Sequence, residues 1–307
     1  MNLLSNKYKE LKPKADYLTD PVVLAQAWKK ANQHIRLTNW YADTFELDRT
    51  IIDLETKLAE WKINYEKKEF SFEQLKLVPA PKTSQWEFHE VGVFGALELT
   101  GNDPADIERL KGISHRWQPV GDADGKVKGL RPLAHISIAE QTILTSLMMC
   151  LANQVETMQG DALTDFNNVH EKNVVNYGNR LYCQFSDDKA QFSWGNSTTY
   201  SKFYADYRKF LTRTLHFGGL ASRYKTSSER VYEIHLDLAK FFDLINRDTL
   251  IEKIKTLTAN DDPLLARLLL AFKDWQWDKY SPAVYKKVCA SKDVPEIPEG
   301  IPQGLVA

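Results

Sequence analysis

The sequence predicts a mixed α+β fold, and three observations carry that prediction. Apolar residues recur at helical spacing through the first seventy positions and again after position 137. Short stretches rich in β-formers interrupt them, the clearest being the alternating VYEIHLDL at 231–238. Hydrophobic residues make up 43% and charged residues 26%, a globular balance, and 307 residues suffice for two or three packed units. The pattern divides into a helical N-terminal extension at 1–75, a mixed segment at 76–230 and a strand-and-helix segment at 231–307.

Asp20-Pro21 starts the first long helix, with Asp as cap and Pro at the first helical position. Leu24, Ala27, Trp28, Ala31 and Ile35 then line one face. Leu47, Ile51, Leu54, Leu58 and Trp61 form a second stripe, and together the two read as helices packing on a larger body. Residues 76–105 mix Pro, aromatics and alternating apolar positions, which suits short strands. In ISHRWQPVGDADGKVKGLRPLAHIS, the turn residues GDADG separate two stretches that could pair as a hairpin. Ser137 and Glu140 have capping-box spacing, and Ile143, Leu147, Leu151 and Val155 line the helix that follows. Residues 170–195 are mixed, and 196–213 read as helix. Beyond the 231–238 strand come FFDLIN, a helix in DTLIEKIKTL, and another that Asp262-Pro263 starts through LLARLLLAFKDW.

Composition excludes several classes. No run approaches the roughly 20 apolar residues that span a bilayer. The opening MNLLSNKYKELKPKADYL lacks the apolar core of a secretory signal, so a cytoplasmic location is expected. Cys150, Cys183 and Cys289 are too scattered for a metal-ligand pair or a disulfide framework. The net charge is -1. A nucleic-acid partner therefore requires the basic residues to be gathered on one surface.

Two elements carry chemistry. Asp237 ends an apolar strand and enters a turn toward a helix, a common place for a metal-binding acid and equally for a helix cap. Some sixty residues on, Gly300-Ile301-Pro302-Gln303-Gly304 brackets a fixed-φ proline and a long amide with two glycines. Such a turn favours close backbone approach, with Gln303 offered as donor and acceptor.

HLDLAKFFDLINRDTLIEKI resembles motif A of reverse transcriptases, and GIPQGLVA resembles the start of their motif B. Upstream, GLRPLAHISIAEQTILTSLMMCLANQVE is similar to the fingers segment of the bacterial enzymes, and VNYGNRL looks like the box that follows it. The resemblance covers roughly residues 110–307. It implies right-hand polymerase fingers at 76–230 and the beginning of the palm at 231–307. By the same resemblance Asp237 is the first Mg²⁺ ligand of a two-metal site, with the Leu238 carbonyl assisting. Phe242 falls at the bulky sugar gate that favours dNTPs, and Gln303 where the templating base pair or the incoming nucleotide is touched. Arg131 matches the triphosphate clamp, helped by Lys128 and by Lys126. Arg180 stabilises the fingers or contacts the template backbone, and Gly304 falls where the template or primer is contacted. The implied partners are an RNA template, a DNA product and dNTPs, with a homo-oligomer or a partner subunit possible and no membrane.

The chain departs from the family in two respects, one being that the remainder of the palm and the thumb are missing. The aromatic-x-Asp-Asp hairpin that supplies the other metal carboxylates is absent, and the sequence ends inside the motif B resemblance. Asp187-Asp188 and Asp261-Asp262 do not stand in for it, and Asp262 reads as a helix cap. The expectation is an N-terminal part of a polymerase that is inactive alone. The long helical lead and the near-neutral charge look most like the defence-associated and abortive-infection reverse transcriptases. A group II intron or retron enzyme is one alternative. A non-catalytic polymerase-like module that binds RNA or a partner subunit is the other.

Overall fold

Asp20 does start a helix. In the computed structural model its Oδ1 accepts from the Val22 and Val23 amides at 2.8 and 3.2 Å, and Lys7 Nζ donates to its Oδ2 at 2.7 Å. The structure describes residues 6–38, 43–80, 86–90, 115–119, 130–224, 226, 230–238, 240–258, 262–292 and 294–305. Helices α1 (Ala15–Leu18), α2 (Pro21–Thr38), α3 (Thr44–Ile52) and α4 (Leu54–Glu66) come first. Strands β1 (Lys76–Ala80), β2 (Trp86–Glu90), β3 (His115–Pro119) and β4 (Arg131–His135) follow, then α5 (Ile138–Gln159). The hairpin β5 (Cys183–Ser186) and β6 (Lys189–Phe192) leads to α6 (Phe203–Tyr224). The described chain closes with α7 (Phe241–Leu244), α8 (Arg247–Thr258), α9 (Pro263–Lys273) and α10 (Ser281–Val288). The mixed helix-and-strand class is as expected, with helix predominant. No described helix is long and apolar enough to cross a membrane.

The chain divides into two compact units. The first holds Met1–Lys76, Ala134–Trp277 and Glu299–Ala307; the second holds Leu77–Leu133 and Asp278–Pro298. In the first unit α2 lies along α5, and the expected faces meet there. Leu24, Ala27, Trp28, Ala31 and Ile35 are buried, as are Ile143, Leu147 and Leu151. Leu264, Leu265, Leu268 and Leu269 of α9 join the same core. Each such aliphatic side chain contributes about 1.5–3 kcal/mol on burial, which exceeds what helix propensity alone supplies. Lys30 of α2 is fully buried, and its Nζ donates to the Thr198 and Ser193 carbonyls at 2.7 and 3.3 Å. The Phe192 ring lies 4.7 Å from that ammonium, so the charge is solvated by carbonyls and a π-face. Burial still lowers its pKa to about 8.

In the second unit β2 and β3 pair antiparallel, Trp86 opposite Pro119 and Glu90 opposite His115. Ser281 Oγ, at the start of α10, accepts from the Leu77 amide at 2.9 Å. The Tyr285 hydroxyl donates to the Val294 carbonyl at 3.0 Å. β1 and β4 form a separate two-stranded sheet.

Several expectations are corrected. The β3 and β4 stretches are strands, but each pairs elsewhere, so they are not the two arms of one hairpin; GDADG itself lies outside the described residues. The second N-terminal stripe breaks at Asp53 into two helices, and Ile51 is exposed. The helix expected at 196–213 runs over 203–224 instead. Residues 231–238 are irregular and exposed throughout, not a strand. Alternation gives a segment β propensity, but a strand also needs an edge to bond, and no described residue pairs with these.

The capping box forms only in part. Ser137 Oγ accepts from the Glu140 amide at 3.3 Å, while the Glu140 carboxylate turns away and accepts from the Glu73 amide. Asp262 caps α9 as expected, accepting from Leu264 and Leu265, and its other oxygen accepts from the Ala15 amide at 2.9 Å. Asp187 and Asp188 form the two-residue loop of the β5–β6 hairpin at φ 50° and 60°, the geometry such a turn demands.

Candidate functional site

The FFDLIN turn and the GIPQG turn, sixty residues apart, meet in the first unit. The Ile301 amide donates to the Phe242 carbonyl at 2.8 Å. A Cβ on Gly300 would fall 2.1 Å from that carbonyl oxygen and 2.6 Å from the one on Asp243, so only glycine permits the approach. Gln303 Nε2 donates to Asp243 Oδ1 at 2.9 Å, which ties the two turns by side chains as well. The Gln303 carbonyl accepts from the Ala134 amide at 2.6 Å. Gly304 adopts φ 116°, a conformation that L side chains rarely take, and its carbonyl accepts from Gln141 Nε2 at 2.9 Å. The GIPQG turn is thus held on three sides, by α7, by the end of β4 and by α5.

Phe242 sits at the rim of this junction. It is 43% exposed and lines an open cavity of about 550 Å³ together with His34, Tyr200, Phe203 and Leu305. The backbone of Lys240, just before it, is left-handed at φ 54°, which turns the chain into α7. Asp237 and Leu238 are exposed on the irregular segment that leads to this turn. Among the described residues no three His, Cys, Asp or Glu side chains cluster to hold an ion. A divalent-metal pair needs several oxygen ligands, so Asp237 with the Leu238 carbonyl does not fit two Mg²⁺ ions by itself. Burial pushes Cys183 up to about 12 and raises Cys150 further, which keeps both protonated at neutral pH.

The remaining sequence-derived residues fall elsewhere. Arg131 opens β4 in the second unit and is exposed. Lys126 and Lys128 lie outside the described residues. Of the two roles expected for Arg180, the structural one fits its burial: it is 3% exposed. Its Nε donates to Glu156 Oε2 at 2.7 Å, and its two terminal nitrogens donate to the Asn176 and Gly160 carbonyls. Glu156 Oε1 accepts from the Leu181 amide at 2.7 Å, so the buried pair is fully bonded. A guanidinium committed in this way has no face to offer a template backbone.

Asp243 and Gln141 were not singled out from the sequence. Asp243 carries a weak signal, a carboxylate between apolar neighbours in FFDLIN. Gln141 carries none: nothing in the sequence sets it apart from Glu140, Thr142, Thr145 and Ser146, which are buried polar residues of the same helix. Compared with known proteins, the chain matches no family model, no curated protein and no solved structure.

Proposed function

We propose that this chain is the fingers-and-early-palm part of an RNA-directed DNA polymerase, of the kind that bacteria use in defence. The observation that carries the reading is the lock between the Phe242–Asp243 turn and Gly300–Gln303. Those two segments are the ones that resemble polymerase motifs A and B, and chemistry on a nucleotide needs them side by side. The amide of Gln303, tied to Asp243, is restricted in its rotamers and so preorganised for a base pair. The exposed ring of Phe242 is free to exclude a ribose 2′-hydroxyl. Asp237 supplies one acid, and two-metal transfer requires more from a segment or partner outside the described residues.

The test is primer extension on an RNA template with dNTPs and Mg²⁺. The protein is purified by a tag on this chain, with whatever polypeptide accompanies it in the cell. Extension should be lost on Asp237→Asn while the melting temperature is unchanged, because the substitution removes a charge and keeps the shape. Extension undiminished by the substitution, or none by the unsubstituted assembly, overturns the reading.

A further inference from the structure

The core of the first unit is not filled throughout. A cavity of about 290 Å³ lies between α5, α8, α9 and the GIPQG turn. Leu147 and Leu151 of α5, Ile254 of α8, Leu269 and Phe272 of α9, and Ile301 stand in its walls. All thirteen side chains around it are apolar, and every one belongs to a buried or half-buried residue. It is therefore a recess in the core and not an exposed apolar face.

The helices that form it hold it open. On α5, Leu144, Met148, Leu151 and Val155 recur at i, i+4, i+7 and i+11, so they present one continuous stripe. Leu250 and Ile254 lie one turn apart on α8. Helix α8 packs against both α5 and α9. The opposite side of α9 is committed to the core through Leu265 and Leu268. Helices braced on one another in this way cannot all move inward without unpacking elsewhere.

Size and chemistry together narrow what the cavity can take. Close-packed interiors hold few voids larger than a water molecule. Apolar cavities of roughly 150 Å³ stay dry and take up benzene, and this one is nearly twice that. A charged group inside it would meet no side chain able to bond it. A helix or strand of another protein is far too large to enter.

We infer that this cavity binds an uncharged hydrocarbon chain of about eight to ten carbons. Its position gives the ligand a consequence. Ile301 and Leu305 in the wall flank the GIPQG turn, and the Ile301 amide bonds to the Phe242 carbonyl. A chain seated against Ile301 braces the turn where it meets α7. Leu305 also lines the cavity at Phe242, so the two spaces adjoin. The inference stands whether or not the chain polymerises.

N-phenyl-1-naphthylamine, an uncharged dye that brightens in apolar surroundings, tests it on the full chain without nucleotides or metal. One dye should bind per chain, and 1-octanol should displace it. Octane-1,8-diol has the same length but should displace it roughly tenfold less well, because its inner hydroxyl would be buried without a partner. 1-Octanol should also raise the melting temperature, since a ligand of the folded state stabilises it. Ala152→Leu and Ile254→Phe fill the cavity from two different helices, and each should abolish dye binding. Tyr207→Ala/Phe210→Ala removes exposed rings from α6 and should leave binding unchanged, which separates the cavity from surface adsorption. Absence of saturable binding by the unsubstituted chain overturns the inference. So does binding that survives in a filled variant of normal melting temperature, or that is lost in the α6 variant. Octanol without effect on either dye or melting temperature overturns it independently of any variant. Dye binding that disappears as the chain self-associates would place a neighbour's side chain in the cavity and overturn it too.

Discussion

Single residues decide how the candidate site can be probed. Phe242 and Arg180 both line the same cavity, yet one is accessible and the other is locked. Arg180 and Glu156 satisfy each other and the carbonyls and amide around them, which makes them part of the scaffold. Phe242 keeps 43% of its surface exposed, so removing it empties little core. Phe242→Ala should cost well below the roughly 3–5 kcal/mol typical of a buried Phe. That separation lets function be read without unfolding. In the active assembly the variant should raise rNTP use relative to dNTP use, measured as competing incorporation rates. Retained dNTP preference together with a near-normal melting temperature excludes the sugar-gate role.

At the scale of elements, local chemistry was legible wherever it sufficed. The α2 face, the Asp20 and Asp262 caps and the α5 face follow from spacing and cap residues alone, because a helix satisfies its own backbone. Strand pairing was not legible, because the partner of a strand is a non-local choice. The stretches at 115–119 and 131–135 read correctly as strands, yet the turn between them did not predict their partners. VYEIHLDL alternates, but without an edge to bond it stays irregular. The candidate site was half legible: Asp237, Phe242 and Gln303 stand out by motif, whereas Asp243 and Gln141 matter only through contacts sixty and more residues distant. Two glycines measure the difference between local and non-local constraint. Gly300→Ala places a Cβ against the Phe242 and Asp243 backbone and should cost about 1–3 kcal/mol, as overpacking does. Gly219→Ala, inside α6 with nothing within 4 Å of the added Cβ, should instead stabilise by about 0.5–1 kcal/mol. Chemical denaturation of both variants checks the two signs together; equal signs contradict this account of the GIPQG turn.

Across the whole molecule, two buried charges in the first unit set opposite limbs of the pH–stability curve. Glu140 is raised to about 7, first by burial, with the Glu73 amide opposing that shift. One of its oxygens and the Trp275 indole N–H are buried without a partner among the described residues, and both residues line one small cavity. Between the ordinary value of 4.5 and about 7, the folded chain holds a proton that the unfolded chain has released. The stabilisation from this group is therefore complete below 4.5 and is lost as pH rises through 7. Lys30 acts in the other direction. Burial lowers it from 10.5 to about 8, so between those values the unfolded chain holds the extra proton and stability rises with pH. Each limb amounts to about 3.5 kcal/mol at most, since one pKa unit is about 1.4 kcal/mol. His34, which burial lowers from 6.5, opposes Glu140 below that value, so the variants rather than the unsubstituted chain isolate each limb. Glu140→Gln should flatten the fall between pH 4.5 and 7 and leave the alkaline rise. Lys30→Met should remove the rise between pH 8 and 10.5, whatever it costs in absolute stability through the unbonded Thr198 carbonyl. Melting temperatures across pH 4.5–10.5 for the three proteins read this out. Parallel curves for the unsubstituted chain and both variants would show that neither charge is held in the core as described.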